Sequence, residues 1–300
     1  MNEEQRICDY EDSSYRTDFW EGQGREYEDL AERIALRHLL PHTGRRLIDI
    51  GGGFGRLSDF YENYDQIVLL DYSRSLLRQA QERLGRDGRV VYVAANVYAL
   101  PFVPGAMDVA MMVRVIHHME DVPALLAELA RTLVAGGHFV LEFASKRHLK
   151  AIARYALGRQ AWSPFEPAPY EFVEMNFDFH PAWMRQQLAE AGFHVKRQRT
   201  VSHFRLPLLK RLVPAQALAA VDGLCQPTGA LWQLTPSVFL DCVTDDAQAG
   251  GVSPTPGTVL FACPACRSTD VQETPEAVVC HSCDSHWPIE DGIYNFKTPA

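Results

Sequence analysis

Four cysteines near the end of the chain stand in two pairs whose spacing could hold a metal ion. Cys263 and Cys266 are separated by two residues, 13 residues follow, and Cys280 and Cys283 repeat the first spacing. Two such thiolate hairpins can complete a tetrahedral Cys₄ shell, which is typical of structural zinc and leaves no position for a catalytic water. A segment of roughly 40 residues buries too little apolar surface to fold alone, so Zn²⁺ would supply folding energy. A redox dithiol or a disulfide pair is the alternative.

A glycine-rich turn in the first third of the chain could bind a nucleotide. In LIDIGGGFGRL, Asp49 ends an apolar run, and Gly51, Gly53 and Gly55 follow at alternate positions. Glycine suits a turn with positive φ and a backbone that a ligand approaches closely. Asp71 ends the next apolar run, 22 residues after Asp49, where it could accept hydrogen bonds from ribose hydroxyls. A structural turn without a ligand is the alternative, but the order of strand, turn, helix, strand and acid favours a nucleotide site.

Unbroken apolar runs supply the strands that would position these residues. Such runs suit strands buried on both faces of a parallel sheet. They cover residues 45–50, 66–70, 89–93, 108–115 and 138–143. A last strand is expected within 229–243.

Segments with helical patterns separate these runs, over residues 54–64, 73–85 and 121–137. Ser73 and Asp121 are predicted N-caps, and Gly85 and Gly136 are predicted stops. A later helix over 180–193 and a strand over 194–201 continue the alternation. The pattern predicts an α/β fold, a doubly wound Rossmann-like sheet built from βαβ units.

The glycine turn reads D-x-G-x-G-x-G, and it resembles motif I of class I S-adenosylmethionine-dependent methyltransferases. LLDYS, at 69–73, resembles the acidic second motif of that family, which implies that Asp71 holds the ribose. AANVYALPF, at 94–102, resembles the third motif, with Asn96 where the family usually has an acid. The resemblance is closest to the branch that includes the ubiquinone/menaquinone C-methyltransferases.

The resemblance implies S-adenosylmethionine as cofactor and a site around the first four strands. The implied cofactor-binding residues are Asp49, Gly51, Gly53, Gly55, Asp71, Tyr72, Asn96, Val97 and Arg114. Because the cofactor supplies the reactive methyl group, the protein chiefly has to position and desolvate the acceptor.

Two adjacent histidines, His117 and His118, follow the fourth predicted strand. In the family this loop meets cofactor and acceptor. An imidazole whose pKa is about 6.5 suits the removal of a proton from a phenol, enol or hydroxyl. We predict the pair as catalytic. Shaping of the cofactor's methionine pocket, or capping of the next helix, is the alternative.

The tail after the last cysteine, HWPIEDGIYNF, resembles the Tyr-Pro-Ile-x-Asp-Gly-Ile element of a small zinc-ribbon family. Members of that family are activating subunits of methyltransferases that act on tRNA, rRNA and a translation factor. The resemblance implies an activator fused in cis that docks on its own methyltransferase domain, and a short tether favours such docking.

These patterns divide the chain into three parts. Residues 1–243 are the predicted methyltransferase domain, with an N-terminal cap at 1–44 and an acceptor-side region at 145–235. Residues 244–258, TDDAQAGGVSPTPGT, are a predicted flexible linker, and 259–300 are the zinc-ribbon domain.

Charge leaves the class of acceptor open. The net charge of −9 argues against a polyanionic partner, but residues 145–212 hold 12 Lys and Arg against 5 Asp and Glu. A small-molecule or lipophilic acceptor is favoured over RNA or a protein. A third hypothesis, a non-enzymatic regulator that binds S-adenosylmethionine, conflicts with the intact glycine turn. The acidic start and the lack of a long apolar stretch predict a cytoplasmic protein without a transmembrane segment.

Overall fold

Strands form the centre of the molecule. The computed structural model describes residues 6–14, 16–20, 22–85, 87–245 and 260–300. Its strands are β1 (Gly44–Ile50), β2 (Tyr64–Asp71), β3 (Val90–Ala94), β4 (Met107–Met112), β5 (Leu133–Ala144), β6 (Tyr170–Val173), β7 (Asn176–Asp178), β8 (Phe193–Val201), β9 (Ser237–Thr244), β10 (Val271–Glu273), β11 (Ala277–Cys280), β12 (His286–Glu290) and β13 (Ile293–Asn295).

Eleven of these strands form one sheet, in the order β10-β11-β12-β13-β3-β2-β1-β4-β5-β9-β8. The strands from β3 to β5 run parallel, while β9 is antiparallel to both β5 and β8. The strand order reverses between β1 and β4, and the crevice at such a switch point is where open α/β sheets bind ligands. The predicted Rossmann-like α/β class is confirmed.

Helices cover the sheet. They are α1 (Glu26–Leu39), α2 (Arg74–Leu84), α3 (Val122–Thr132), α4 (Leu149–Ala156), α5 (Pro181–Glu190), α6 (Pro207–Leu212) and α7 (Ala215–Cys225). Ser73 and Asp121 cap α2 and α3 as predicted, each accepting a hydrogen bond from a backbone N–H in the first turn. Among the described residues no helix is long and apolar enough to cross a membrane.

Two local predictions were wrong. The helix expected over 54–64 is reduced to a single 3-10 turn at Ser58–Phe60, because the glycine turn fills the start of the connection and β2 already begins at Tyr64. Gly136 does not stop α3, which ends at Thr132. It lies in a bend within β5, where its φ of 67° requires a left-handed conformation.

The core lies on both faces of the sheet. Along β1, Ile48 and Ile50 pack into one apolar cluster, whereas Leu47 packs into the other. Alternation along a strand sends successive side chains to opposite faces. All three side chains are fully buried, as expected for a strand in the middle of a parallel sheet.

The C-terminal strands are continuous with this sheet. β13 pairs in parallel with β3, the outermost strand of the parallel set, and the amide of Phe296 donates to the carbonyl of Ala94 at 2.8 Å. From residue 246 on, the predicted linker lies outside the described residues.

Candidate functional site

The glycine turn follows β1 at the switch point of the sheet. Gly51, Gly53 and Gly55 have positive φ values of 66°, 52° and 72°. A side chain would be strained in this conformation, and a Cβ atom on Gly51 would lie only 2.3 Å from the side chain of Val115. The turn therefore requires glycine both for its backbone conformation and for close packing.

Asp71 ends β2 beside that turn. One carboxylate oxygen accepts a hydrogen bond from the amide of Gly53, and the other accepts one from the amide of Ser73, each at 2.9 Å. Burial raises the pKa of Asp71 to about 6, and these backbone donors oppose the rise. These two hydrogen bonds fix the orientation of the carboxyl group, which is ionised at neutral pH.

A cleft lies between the glycine turn, the end of β2 and the segment after β3. It encloses about 720 Å³, including the part that opens to solvent. The predicted cofactor residues that line it are Gly51, Gly53, Asp71, Tyr72, Asn96, Val97 and Arg114. Residues from four strand ends of the parallel sheet are therefore brought to one place.

Two predicted cofactor residues lie outside the lining of this cleft. Asp49 lies behind the turn and accepts a hydrogen bond from the hydroxyl of Tyr61 at 2.5 Å. Burial raises the pKa of Asp49 to about 7. Gly55 faces α2, where a Cβ atom would lie 3.6 Å from Ala80. Both residues support the turn, and their contact with a cofactor stays a prediction.

Asn96 replaces the acid expected after β3. Its side-chain oxygen accepts a hydrogen bond from the amide of Tyr98 at 3.0 Å and caps the 3-10 turn Val97–Ala99. An aspartate could make the same bond, so asparagine keeps the local conformation and removes one negative charge from the cleft.

Arg114 joins the cleft to the N-terminal helix and to β5. Arg114 follows β4 in a left-handed conformation, with a φ of 61°, and its amide donates to the carboxylate of Glu142 at 2.9 Å. The guanidinium bonds the buried Glu32 of α1, with Nε 2.7 Å from Oε1, and lies 5.0 Å from the ring centre of Trp20. Sequence reasoning missed both acids. The signal for Glu142 was a lone acid in the apolar run HFVLEF.

The start of the chain, within the predicted N-terminal cap, contributes a wall whose individual residues sequence reasoning did not identify. Ile7, Cys8 and Tyr10 line the cleft, and Arg6 bonds Glu120 at 2.7 Å. This wall has no motif in the sequence, since its position depends on contacts between residues more than 100 positions apart.

His118 is held between two partners. Its Nδ1 lies 2.8 Å from the carbonyl oxygen of Met175, and its Nε2 lies 3.1 Å from the hydroxyl of Tyr10. The carbonyl can only accept, so Nδ1 carries the proton and Nε2 is the basic nitrogen. Burial lowers the pKa of His118, and the bond to Met175 opposes that shift. The imidazole is therefore neutral at pH 7, with Nε2 accepting from the hydroxyl of Tyr10.

His117 packs against His118, with ring centres 4.1 Å apart. Its Nδ1 is buried and has no hydrogen-bond partner within the described residues. Burial lowers the pKa of His117 well below its ordinary value, and the neighbouring His118 and Arg114 add to the effect. A neutral imidazole with an unused buried nitrogen is available to a polar ligand atom.

A second cavity adjoins the cofactor cleft and is lined by both histidines. It encloses about 700 Å³, including space open to solvent, and shares three lining residues with the first cleft: Tyr10, Arg114 and His118. His117, Phe19 and Asn176 complete much of its wall. Of the two predicted catalytic histidines, His118 thus lines both cavities, whereas His117 lines only the second.

The four cysteines meet at one point near the C-terminus. All their sulfur atoms lie within 4.8 Å of one another, with 3.6 Å between Cys263 and Cys283 and 3.5 Å between Cys266 and Cys280. A tetrahedral zinc ion with Zn–S bonds of about 2.3 Å separates its sulfur ligands by about 3.8 Å. The donor set and its spacing therefore fit Zn²⁺.

Both cysteine hairpins have the same backbone geometry. The residue after each pair, Arg267 or Asp284, has positive φ. Its amide donates to the carbonyl of the first cysteine of the pair, Cys263 at 2.8 Å and Cys280 at 2.9 Å. Because the two hairpins share this geometry, each directs its two sulfur atoms toward a common centre.

The cysteine segment packs on the parallel sheet through aromatic side chains. Phe261 stacks on Phe102 at 5.9 Å between ring centres and also contacts Tyr294 and Phe296. Phe102, Phe261, Phe296 and the buried Cys263 belong to one apolar cluster. The segment therefore shares its core with the rest of the chain.

A further contact from this segment reaches the cofactor cleft. The ammonium group of Lys297 lies 4.0 Å from the ring centre of Tyr72 and 3.5 Å from the carboxylate of Asp9. Tyr72 lines the cleft, and Asp9 lies in sequence between the lining residues Cys8 and Tyr10. The C-terminal segment thus holds two sides of the cleft.

Comparisons with known proteins agree with this geometry. A family model described as a methyltransferase domain matches residues 48–141. The ubiquinone/menaquinone biosynthesis C-methyltransferase UbiE of Pseudomonas savastanoi is 29% identical over 184 residues, which cover 55% of this chain and 71% of that protein. The protein of the same name from Shewanella piezotolerans is 29% identical over 179 residues, with 54% and 71% covered.

Solved structures share the fold. An S-adenosylmethionine-dependent methyltransferase from Mesorhizobium loti has a TM-score of 0.52 at 23% identity, covering 72% of this chain and 99% of its own. A chain from the complex containing the Haloferax volcanii Trm112 methyltransferase activator has a TM-score of 0.53 at 17% identity, covering 77% and 96%.

The sheet, its switch-point cleft and the glycine turn beside Asp71 define a Rossmann-like enzyme that binds a nucleoside cofactor. The matched methyltransferase domain and the C-methyltransferase relatives narrow this class. The chain is an S-adenosylmethionine-dependent methyltransferase.

Proposed function

We propose that this enzyme transfers a methyl group to a small, lipophilic acceptor that carries an ionisable hydroxyl group, such as a quinol or phenol. The observation that carries the proposal is the position of His118, whose basic nitrogen lies in a wall shared by the cofactor cleft and the second cavity. The relatives named for ubiquinone and menaquinone biosynthesis support an acceptor of this type.

S-adenosylmethionine supplies an electrophilic methyl group on a sulfonium. In the proposed reaction the acceptor occupies the second cavity, beside Phe19 and the histidine pair. His118 would receive the hydroxyl proton at Nε2, where the acceptor hydroxyl would replace that of Tyr10 as hydrogen-bond donor. The ring carbon ortho to the resulting oxyanion would gain the methyl group as the methyl–sulfur bond breaks. The resulting dienone would lose its ring proton to water, and the oxygen would regain a proton from protonated His118, so that aromaticity is restored with the net release of one proton. General-base assistance of this kind contributes about 10² to 10⁴ in rate.

His117 would orient the acceptor rather than take its proton. Its Nδ1 has no partner among the described residues, and its depressed pKa keeps the ring neutral. A neutral imidazole can donate from one nitrogen and accept at the other, which suits a substrate oxygen. Arg114 would position the wall between the cavities through Glu32 and Glu142.

In the same proposal the residues 259–300 form a zinc-ribbon module that acts as an activator in cis. Cys263, Cys266, Cys280 and Cys283 would hold Zn²⁺, which would supply folding energy to the module. The pairing of β13 with β3 and the contact of Lys297 with Tyr72 support a role in maintaining the cofactor cleft.

The test uses the zinc-loaded chain with methyl-tritiated S-adenosylmethionine and a panel of acceptors: short-chain benzoquinols and naphthoquinols, total tRNA and rRNA, and a protein pool. We expect label in an extractable quinol, and loss of this transfer in a Gly53→Arg variant, whose side chain would block the cleft. Transfer to RNA or protein, with none to any phenolic acceptor, would overturn the proposal in favour of a macromolecular substrate.

A further inference from the structure

An exposed surface next to β5 and β8 combines apolar side chains with cations. It borders a cleft of about 1620 Å³, including open space, and we call it the basic apolar face; it is formed by Leu149, Lys150, Arg154, Arg205, Leu206 and Trp232. Leu149, Leu206 and Trp232 are 64%, 56% and 57% exposed. Large apolar side chains grouped in this way on a surface mark an interaction site.

α6 extends the apolar part of this face. Leu208 and Leu212 are 66% and 71% exposed, whereas Leu209 packs into the core cluster beneath the helix. Leu209 therefore anchors α6 to the core, while Leu208 and Leu212 are exposed to solvent. Such short amphipathic helices, with leucine and basic residues side by side, are typical of surfaces that lie in the interface of a lipid bilayer.

The charges on this face are positive. Within the described residues Lys150 and Arg154 have no ion-pair partner, and neither α4 nor α6 contains an acid. Lys210 and Arg205 share the buried Glu28 as their partner. In a chain with a net charge of −9, this local excess of cations is complementary to an anionic surface. Of the six residues that define this face, Trp232 alone is aromatic, whereas single-stranded nucleic acid is usually bound by several stacking aromatics.

The face lies at the same edge of the sheet as the cofactor cleft. Ala144 at the end of β5 pairs with Ser237, and Ser237 pairs with Val201 at the end of β8. Residues that follow Ala144 and Val201 therefore emerge beside the carboxyl ends of the parallel strands, where the glycine turn also lies. Glu142 links the two regions, since it accepts hydrogen bonds from both Arg114 and Ser237.

We propose that the basic apolar face, together with α6, docks this enzyme on an anionic lipid bilayer. The leucines and Trp232 enter the boundary between headgroups and acyl chains, and the cations contact lipid phosphates. The edge of the sheet that carries the cofactor cleft then faces the membrane. This binding is independent of the proposed methyl acceptor, because it requires no methyl transfer.

The test is flotation of the full, zinc-loaded chain with two kinds of vesicle, phosphatidylcholine alone and phosphatidylcholine with phosphatidylglycerol at about two to one. We expect binding to the mixed vesicles that weakens as salt is raised. Each cation near the surface contributes about fivefold to the partition, so Lys150→Ala with Arg154→Ala should weaken binding by about 25-fold. The matched control, Lys196→Ala with Arg37→Ala, removes two exposed cations elsewhere and should leave binding unchanged.

A second double variant tests the contribution of the apolar side chains to vesicle binding. Leu206→Ser with Leu208→Ser removes two exposed leucines without disturbing the core, and we expect binding to fall by about tenfold or more. Equal binding to both vesicles, an equal loss in the control, or no flotation at low salt would overturn the proposal. Competition by RNA that the leucine variants do not affect would assign the face to RNA instead.

Discussion

The hydroxyl of Tyr10 lies 3.1 Å from Nε2 of His118, and these two side chains, 108 positions apart in the sequence, form part of the wall between the cofactor cleft and the second cavity. Because Met175 fixes the proton on the other ring nitrogen, this contact identifies the nitrogen that can take a proton from an acceptor.

Removal of Nε2 of His118 should slow the transfer of the methyl group and should leave cofactor binding intact. We expect His118→Ala to lower the transfer rate by about 10² to 10⁴, while the Kd for S-adenosylmethionine changes less than about twofold. Single-turnover transfer and calorimetric titration measure the two quantities. His194→Ala, at a mostly exposed histidine, is the control. A normal transfer rate in the His118 variant would eliminate it as the base.

Cofactor affinity should depend on pH through Asp71. Its raised pKa of about 6 means that the carboxylate that would accept the ribose hydroxyls is lost as pH falls below that value. The Kd for S-adenosylmethionine should therefore be constant above about pH 7 and rise by up to tenfold per pH unit below about pH 6. The dependence should disappear in Asp71→Asn. An affinity that stays constant down to pH 5 would contradict this role.

Gly51 and Gly85 provide a matched pair for the glycine turn. Both have a φ of 66°, but a Cβ atom at Gly51 meets Val115 whereas one at Gly85 meets nothing within 4 Å. Gly85→Ala should cost about 1 kcal/mol of stability from backbone strain and leave cofactor affinity intact. Gly51→Ala should weaken S-adenosylmethionine binding by about tenfold or more because the turn must shift. Equal affinities in the two variants would show that the turn does not contact the cofactor.

Much of this site was predictable because its signals are local. The glycine turn, Asp71 and the cysteine pairs have fixed spacings, so the sequence alone indicates which residues should come together. An N-terminal cap was predicted, but the residues of its wall and the clamp of Arg114 by Glu32 and Glu142 were not, since they depend on contacts between distant segments. The helix predicted over 54–64 was wrong for another reason: turns occupy 53–57 and β2 begins at Tyr64, so only the 3-10 turn Ser58–Phe60 forms between them.

Loss of the proposed zinc site should destabilise the whole chain. The sulfur of Cys280 is buried in the same apolar cluster as Phe102, so the cysteine segment and the sheet should unfold together. We expect Cys280→Ser to lose bound zinc, measured by elemental analysis, and to lower the Tm by roughly 5 °C or more. Cys225→Ser, in α7, should retain one zinc per chain. Two separate transitions, with the methyltransferase transition unmoved, would argue against a shared core.

The nature of the acceptor is the central claim, and transfer of label from methyl-tritiated S-adenosylmethionine into whole-cell extract tests it most directly. We expect that label incorporated by the zinc-loaded chain, and absent with the Gly53→Arg variant, is extracted into organic solvent with small lipophilic compounds. Label that precipitates with macromolecules and is released by nuclease or protease would contradict it.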